Sequence, residues 1–195
     1  SREFISPEFL DTYAREGSKL AGHVIKDAAP GIEATAGSLG HGLPILAGFA
    51  LANKDNNRKF YSVLGDGECN EGSVWEAASF CSHFKLHNIT AIIDVNKQQS
   101  LGYTADIMDM SNMAERWSAF GWETIEVDGH NIDDLQKVLA YSHSRRDSIK
   151  PLAIIASTVK GKGVSWMEDK LEWHYKSPTP EQLQAAIAEI DSRKN

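Results

Sequence analysis

The chain has 195 residues and a formal net charge of −7, with 42% apolar and 24% charged residues. That is length enough for one domain with a sizeable core, and the composition is that of a globular protein. The acidic balance and the lack of a long basic run exclude nucleic acid and anionic membranes as expected partners; no secretory leader or membrane-length apolar run is read either. A first helix is expected within Ser1 to Lys19, starting near Ser6-Pro7-Glu8, with serine as cap and proline in the first turn. Leu20 to Gly42 reads as a loop of glycines and small residues, and Leu43 to Ala52 as a helix.

The stretch from Lys59 to Gln99 is the most informative. The apolar run Phe60 to Leu64 ends in Gly65-Asp66-Gly67; a helical stripe of Val74, Ala77, Ala78, Cys81 and Phe84 follows; Ile89 to Ile93 then ends in Asp94-Val95-Asn96. Strand, turn, helix, strand is a parallel βαβ unit. Beyond it, Ser100 to Asp109 reads as a loop and Asn112 to Phe120 as a short helix. Trp122 to Val127 is a third strand and Ile132 to Ser144 an amphipathic helix with Leu135, Val138 and Leu139 inward. Pro151 to Thr158 is a fourth, buried strand, and Thr179 to Asp191 a closing helix capped by Thr179. The pattern predicts an α/β fold, a doubly wound and mainly parallel sheet with helices on both faces. The two cysteines, Cys69 and Cys81, lack C-x-x-C company and suit a reducing, cytoplasmic compartment, with Cys81 in the core.

Asp66 and Asn96 both follow carboxyl ends of parallel strands, the edge where open α/β sheets bind ligands. Gly65 and Gly67 allow close backbone approach, and the helix opening near Gly72 favours a phosphate. Asp66, Glu68 and Glu71 would repel a bare diphosphate, and a divalent cation between them removes the conflict. Asp66, the Asn96 side-chain oxygen and a nearby backbone carbonyl are hard oxygen ligands suited to Mg²⁺ or Ca²⁺. Other readings stay open on residue type alone. A dinucleotide fingerprint would need its third glycine two residues before Gly72. An EF-hand loop fails because Glu71 stands where glycine is required. A tight turn with solvated acids would look the same.

Gly65-Asp66-Gly67 followed by Asp94-Val95-Asn96 resembles the thiamine diphosphate signature, and the longer run GDGECNEGSVWEAASF…KLHNITAIIDVNKQQ resembles transketolases. The resemblance extends from about Glu16 to Ala185. It implies a thiamine diphosphate-binding fold, with residues 1–195 as a single diphosphate-binding domain and Asp66, Asn96 and the backbone carbonyl of Gln98 as metal ligands. The Gln98 side chain is immaterial to that role. Pro30 to Gly42 is similar to the family's cofactor loop, with Gly37 and Leu39 beside the rings; Ser38 and His41 replace the family's proline and glutamine, and His41 reaches the ligand or caps the next helix. Ala21-Gly22-His23 resembles a G-H-P element, so His23 faces the reacting end. Trp173-His174-Tyr175-Lys176-Ser177-Pro178 resembles W-H-G-K-x-P, so His174 meets the diphosphate and substrate. His23 and His174 are the candidates for proton transfer or substrate hydrogen bonding. Glu71 is expected in an acidic contact between subunits, Asp128-Gly129-His130 is structural, and Lys160 or Lys162 helps an anionic ligand.

In the family a glutamate on a separate pyrimidine-binding domain activates the cofactor, and no such domain is read here. The resemblance therefore implies the N-terminal subunit of a split, two-gene transketolase, assembling as a heterotetramer with a C-terminal subunit that carries that domain and its catalytic glutamate. The implied reaction moves a two-carbon ketol unit from a ketose phosphate to an aldose phosphate. No match is read to the family's earlier S-K-G-H element, which is then truncated or supplied by the partner. Two rivals remain: a 2-oxoacid dehydrogenase or deoxyxylulose phosphate synthase component, and a non-catalytic binding subunit.

Overall fold

The structure is a computed structural model that describes residues 4–145 and 148–193. Its strands, in chain order, are β1 (Phe60–Gly65), β2 (Ile89–Val95), β3 (Gln98–Gln99), β4 (Gly102–Tyr103), β5 (Glu123–Asp128) and β6 (Leu152–Ser157). The helices are α1 (Pro7–Leu10), α2 (Gly42–Ala52), α3 (Gly72–His83), α4 (Thr104–Ile107), α5 (Met113–Ala119), α6 (Ile132–Ser144) and α7 (Pro180–Ser192). The four expected strands form one sheet in the order β1-β2-β6-β5, parallel throughout. β3 and β4 make a separate antiparallel ribbon.

Alternation along the strands divides the core in two. Leu64, Ile89, Ala91, Ile93, Ala153 and Ile155 face α2, α3 and α5, which contribute Leu43, Ala47, Val74, Ala78, Cys81, Met113 and Trp117. Ile92, Ile154, Ile125 and Val127 point the other way, to Val138 of α6. Helices thus cover both faces, as the near-continuous apolar runs of β2 and β6 require. On the second face Tyr61 and Val63 of β1 stay open, Val63 to 71%. Each fully buried Val, Leu or Ile side chain stabilises by about 1.5–3 kcal/mol. Two buried side-chain donors tie the core to the helices: Asn88 Nδ2 donates to the Ala50 carbonyl at 2.9 Å, and Trp122 Nε1 to the Ala78 carbonyl at 2.9 Å.

Several expectations are corrected. The first helix is one turn that ends at Leu10 instead of running on toward Lys19, and residues 1–3 of the expected range lie outside the described ones. Ser6 caps it as expected, accepting from Phe9 N at 3.3 Å. None of its residues is buried, and Ala14 turns left-handed (φ 54°) so that its N–H reaches the Leu20 carbonyl at 2.8 Å. A helix with no face to bury is not sustained by propensity. Phe84 and Leu139 are exposed, each to 38%. Phe84 lies past the last turn of α3, where its ring meets Phe80 at 4.5 Å, and at α6 Val138 alone of the expected three is buried. The expected loop from Ser100 to Asp109 contains β4 and α4.

Candidate functional site

The register pairs Gly65 with Asp94 and Asp94 with Ala156, so the carboxyl ends of β1, β2 and β6 finish level. Asp66 N donates to the Asp94 carbonyl at 3.1 Å, extending that ladder by one bond. Asp94 then collects two side chains, the Asn96 amide Nδ2 at 3.3 Å and the Thr158 hydroxyl. Lys97 turns left-handed (φ 65°), which swings its N–H back onto Asp66 Oδ2 at 2.7 Å. Gln98 N in turn donates to Asn96 Oδ1 at 3.0 Å. The turn after β2 therefore ties Asp66 to Lys97 and Asn96 to Asp94 and Gln98, and both side chains line one cavity.

Asp66 is 2% exposed and its carboxylate accepts from Gly67 N (2.7 Å), Lys97 N (2.7 Å) and the Thr104 hydroxyl (3.3 Å). Burial pushes its carboxyl above the usual aspartate value, with Asp94 adding to the rise, while the three donors pull it back. A buried anion with spare lone pairs is suited to a cation. The helix expected to open near Gly72 does so, with no side-chain cap at its start. A 3₁₀ turn, Gly67–Asn70, intervenes, and Gly67 N–H is already given to Asp66.

Glu68 enters the site in a role that residue type did not reveal. Residue type alone makes it a charge that repels phosphate. Its carboxylate instead accepts from Gly40 N at 2.9 Å and Gly65 N at 3.4 Å, clamping the glycine loop to the end of β1. Gly40 (φ 77°) is further held by the Ser73 hydroxyl, which donates to its carbonyl at 2.8 Å. A Cβ at Gly40 would come within 2.6 Å of Glu71 Cβ, so only glycine fits. Glu71 itself has an exposed carboxylate.

These elements enclose a cavity of about 220 Å³ lined by Leu39, Gly65, Asp66, Gly67, Glu68, Asn96, Gln98, Gln99, Ser100, Lys160 and His174. Three buried polar atoms around it, Gln98 Oε1, Gln99 Nε2 and His174 Nδ1, have no partner among the described residues. A Cβ at Gly65 would meet no atom of the chain, so this glycine leaves room that the protein does not itself use. Both observations fit a polar ligand of some size. Asp66, Asn96 Oδ1 and a carbonyl of the 96–98 turn can supply a divalent ion with oxygens, and Lys160 can face an anion. Burial, and then the Lys160 charge, holds the His174 imidazole below the ordinary histidine value, so the ring is neutral near pH 7.

Of the expected site residues, Leu39, Gly65, Asp66, Gly67, Asn96, Gln98 and His174 line one cavity. His23 and Gly37 do not. They pack on each other, since a Cβ at Gly37 (φ 115°) would lie 2.6 Å from His23 Cγ, and His23 is exposed at the foot of the Leu39 loop. Glu71 lies outside the cavity too, behind Gly40. Lys162 points elsewhere, 3.7 Å from Glu168, and Lys160 takes the place beside the cavity. His41 neither lines it nor caps α2 with its side chain; Nδ1 lies 3.0 Å from the Leu39 carbonyl. His130 is structural, accepting Val159 N–H at 2.8 Å through Nε2. Gln98, whose side chain is immaterial to the expected carbonyl role, is 3% exposed, and its Nε2 donates to Asp169 Oδ1 at 2.7 Å.

Residues 5–186 match the transketolase, thiamine diphosphate binding domain. The chain is 41% identical over 195 residues to an apulose-4-phosphate transketolase subunit of Phocaeicola vulgatus, spanning 99% of this chain and 68% of that protein. It is 40% identical over 186 residues to the 6-deoxy-6-sulfo-D-fructose transketolase subunit SqwG of a Clostridium species, spanning 94% and 67%. Among solved structures, Campylobacter jejuni transketolase superposes with a TM-score of 0.80 at 27% identity, over 94% of this chain and 30% of that one.

Proposed function

The chain belongs to the transketolase family, and from that premise we propose that it binds thiamine diphosphate through a divalent metal, Mg²⁺ or Ca²⁺, and works as one half of a split transketolase. The observation that carries this reading is the single cavity at the carboxyl edge of β1, β2 and β6, where a buried carboxylate, an amide oxygen, a lysine and a neutral histidine meet. Asp66, Asn96 Oδ1 and the Gln98 carbonyl hold the metal. Lys160 offsets phosphate charge, and Leu39, half exposed, is free to pack against the rings. Gly65 and Gly67 let the diphosphate approach the backbone. When bound, thiamine diphosphate supplies the nucleophilic carbon that takes the two-carbon unit from the ketose.

The chain's own residues bind, orient and move protons around that centre. His174, neutral and with Nδ1 unpartnered, is placed to accept or donate a hydrogen bond to a sugar hydroxyl. The other wall of the cofactor, with the glutamate that activates it, comes from a C-terminal subunit carrying the pyrimidine-binding domain, and pairs assemble as a heterotetramer in which Glu71 meets the partner. Residues 1–195 act as the diphosphate-binding domain, and sugar phosphates are the substrates. Two relatives of similar coverage are named as subunits, which supports the division of labour. The two free, buried thiols suit a cytoplasmic setting.

The test is to purify the chain with the product of the adjacent reading frame and assay ketose phosphates against 2-oxoacids. Ketol transfer that requires both chains and thiamine diphosphate is expected. Turnover of 2-oxoacids alone assigns a different thiamine enzyme, and no turnover with saturating cofactor leaves a binding subunit.

A further inference from the structure

Lys160 and His174 reach the cavity from the two ends of one segment. Between them the chain makes a closed loop. Asp169 N donates to the Lys160 carbonyl at 2.9 Å, and Gly161 (φ 76°) packs so tightly that a Cβ there would lie 2.7 Å from the Met167 carbonyl oxygen. The far side of the loop is pinned to α7: Ser165 N donates to Glu189 at 3.0 Å, and Arg193 lies 3.8 Å from Glu168. On the near side one residue spans the gap to the metal turn. Asp169, held left-handed (φ 54°), donates its N–H to the Lys160 carbonyl, while its own carbonyl accepts from the Tyr103 hydroxyl at 3.3 Å and its carboxylate from Gln98 Nε2 at 2.7 Å. Gln98 is 3% exposed, two residues after Asn96, and its own N–H donates to Asn96 Oδ1.

We propose that the Gln98–Asp169 hydrogen bond is a latch that sets His174 and Lys160 against the Asp66–Asn96 turn, making both of its partners positioning residues for cofactor and substrate. The inference rests on the cofactor reading above for its consequence, though not for its geometry. Its physical basis is that, among the described residues, this is the side-chain hydrogen bond that joins the 96–99 turn to the 160–174 segment, and that it is charge-assisted and partly buried. Loops that carry function need such support from rigid elements to be held in productive geometry.

Three variants of the full chain test it. Gln98→Leu keeps the volume, the backbone carbonyl and the turn but removes the donor. Asp169→Gly removes the acceptor at a φ that glycine accepts without strain. Asp169→Asn keeps an acceptor oxygen and serves as the conservative control. The His174 imidazole, identified by the loss of its signal in His174→Gln, is followed by NMR, and amide exchange is followed across 160–174. Gln98→Leu and Asp169→Gly should each shift the His174 resonance and speed exchange in that segment about tenfold. Asp169→Asn should stay close to the parent, and the Gln98→Leu, Asp169→Gly double variant should be no worse than either single one. In the assembled enzyme the two disruptive variants should weaken thiamine diphosphate·Mg²⁺ binding about tenfold. An unmoved His174 and unchanged exchange in both disruptive variants overturn the latch. If the parent protein binds no thiamine diphosphate, the functional reading falls while the His174 and exchange data still decide the latch. If Gln98→Leu fails to fold, Asp169→Gly, which alters an exposed side chain, carries the test alone.

Discussion

Glu68 Oε1 accepts the Gly40 N–H at 2.9 Å across 28 positions of sequence, and its second oxygen meets Gly65 N at 3.4 Å. One carboxylate thus joins the glycine loop that carries Leu39 to the strand end that carries Asp66. Removing it in Glu68→Ala should cost about 1–2 kcal/mol, the worth of hydrogen bonds to a partly shielded charged group. Because the loop is then free to drift, cofactor affinity should fall by about tenfold, with Glu68→Gln losing less. Urea unfolding and calorimetric titration measure the two effects. An Ala variant with full affinity would contradict the clamp.

The proposed metal bridge at Asp66 and Asn96 predicts that cofactor uptake depends on a divalent ion. Chelation, or Asp66→Ala with Asn96→Ala, should abolish measurable thiamine diphosphate uptake, a loss on the order of a hundredfold or more, given that removing even a supporting partner of a metal ligand costs about 10–100-fold. The far-ultraviolet circular dichroism should stay near that of the parent, because neither side chain belongs to the apolar core. Undiminished uptake after either treatment removes the basis for a metal bridge.

The raised carboxyl of Asp66 predicts a pH dependence with a definite sign. In the ligand-free chain the folded state holds this proton more tightly than the unfolded state, so its contribution to stability is full below the ordinary aspartate value of 3.8 and is lost as pH rises through the higher folded value. Metal uptake runs the other way, since the ion needs the carboxylate. Affinity for Mg²⁺ and cofactor should decline on acidification from a pH above the range where an exposed aspartate titrates. Calorimetry across mildly acidic pH checks this, with Asp66→Asn weak and flat throughout.

His174 should titrate below 6.5, and Lys160→Met should move it back toward that value. A depressed folded value means that its contribution to stability is present above 6.5 and lost as pH falls through the folded value. NMR of the imidazole in the two proteins is the direct measurement. An unmoved titration in Lys160→Met would separate the lysine from the ring.

Burial drives the Cys69 and Cys81 thiols up to about 12. At about pH 8 the thiolate fraction is then roughly one part in ten thousand. A disulfide reagent should leave the native protein unmodified on the timescale that modifies both cysteines in guanidinium. Rapid labelling of the folded chain would show that one of them is accessible.

Periodicity alone determined the four parallel strands, the helices between them and the turns at Asp66 and Asn96, because alternation and helical spacing are local properties written residue by residue. It also determined that an aspartate and an asparagine follow two neighbouring strands. Only the tertiary structure decided what those turns hold. Glu68 turned from a repelling charge into a clamp, Lys160 and not Lys162 reached the cavity, His23 stayed outside it and Gln98 gained a partner 71 positions away. Each of those outcomes is a pairing between distant segments, set by register and by where left-handed residues such as Lys97 and Asp169 turn the chain, and nothing in the neighbouring sequence encodes such a pairing.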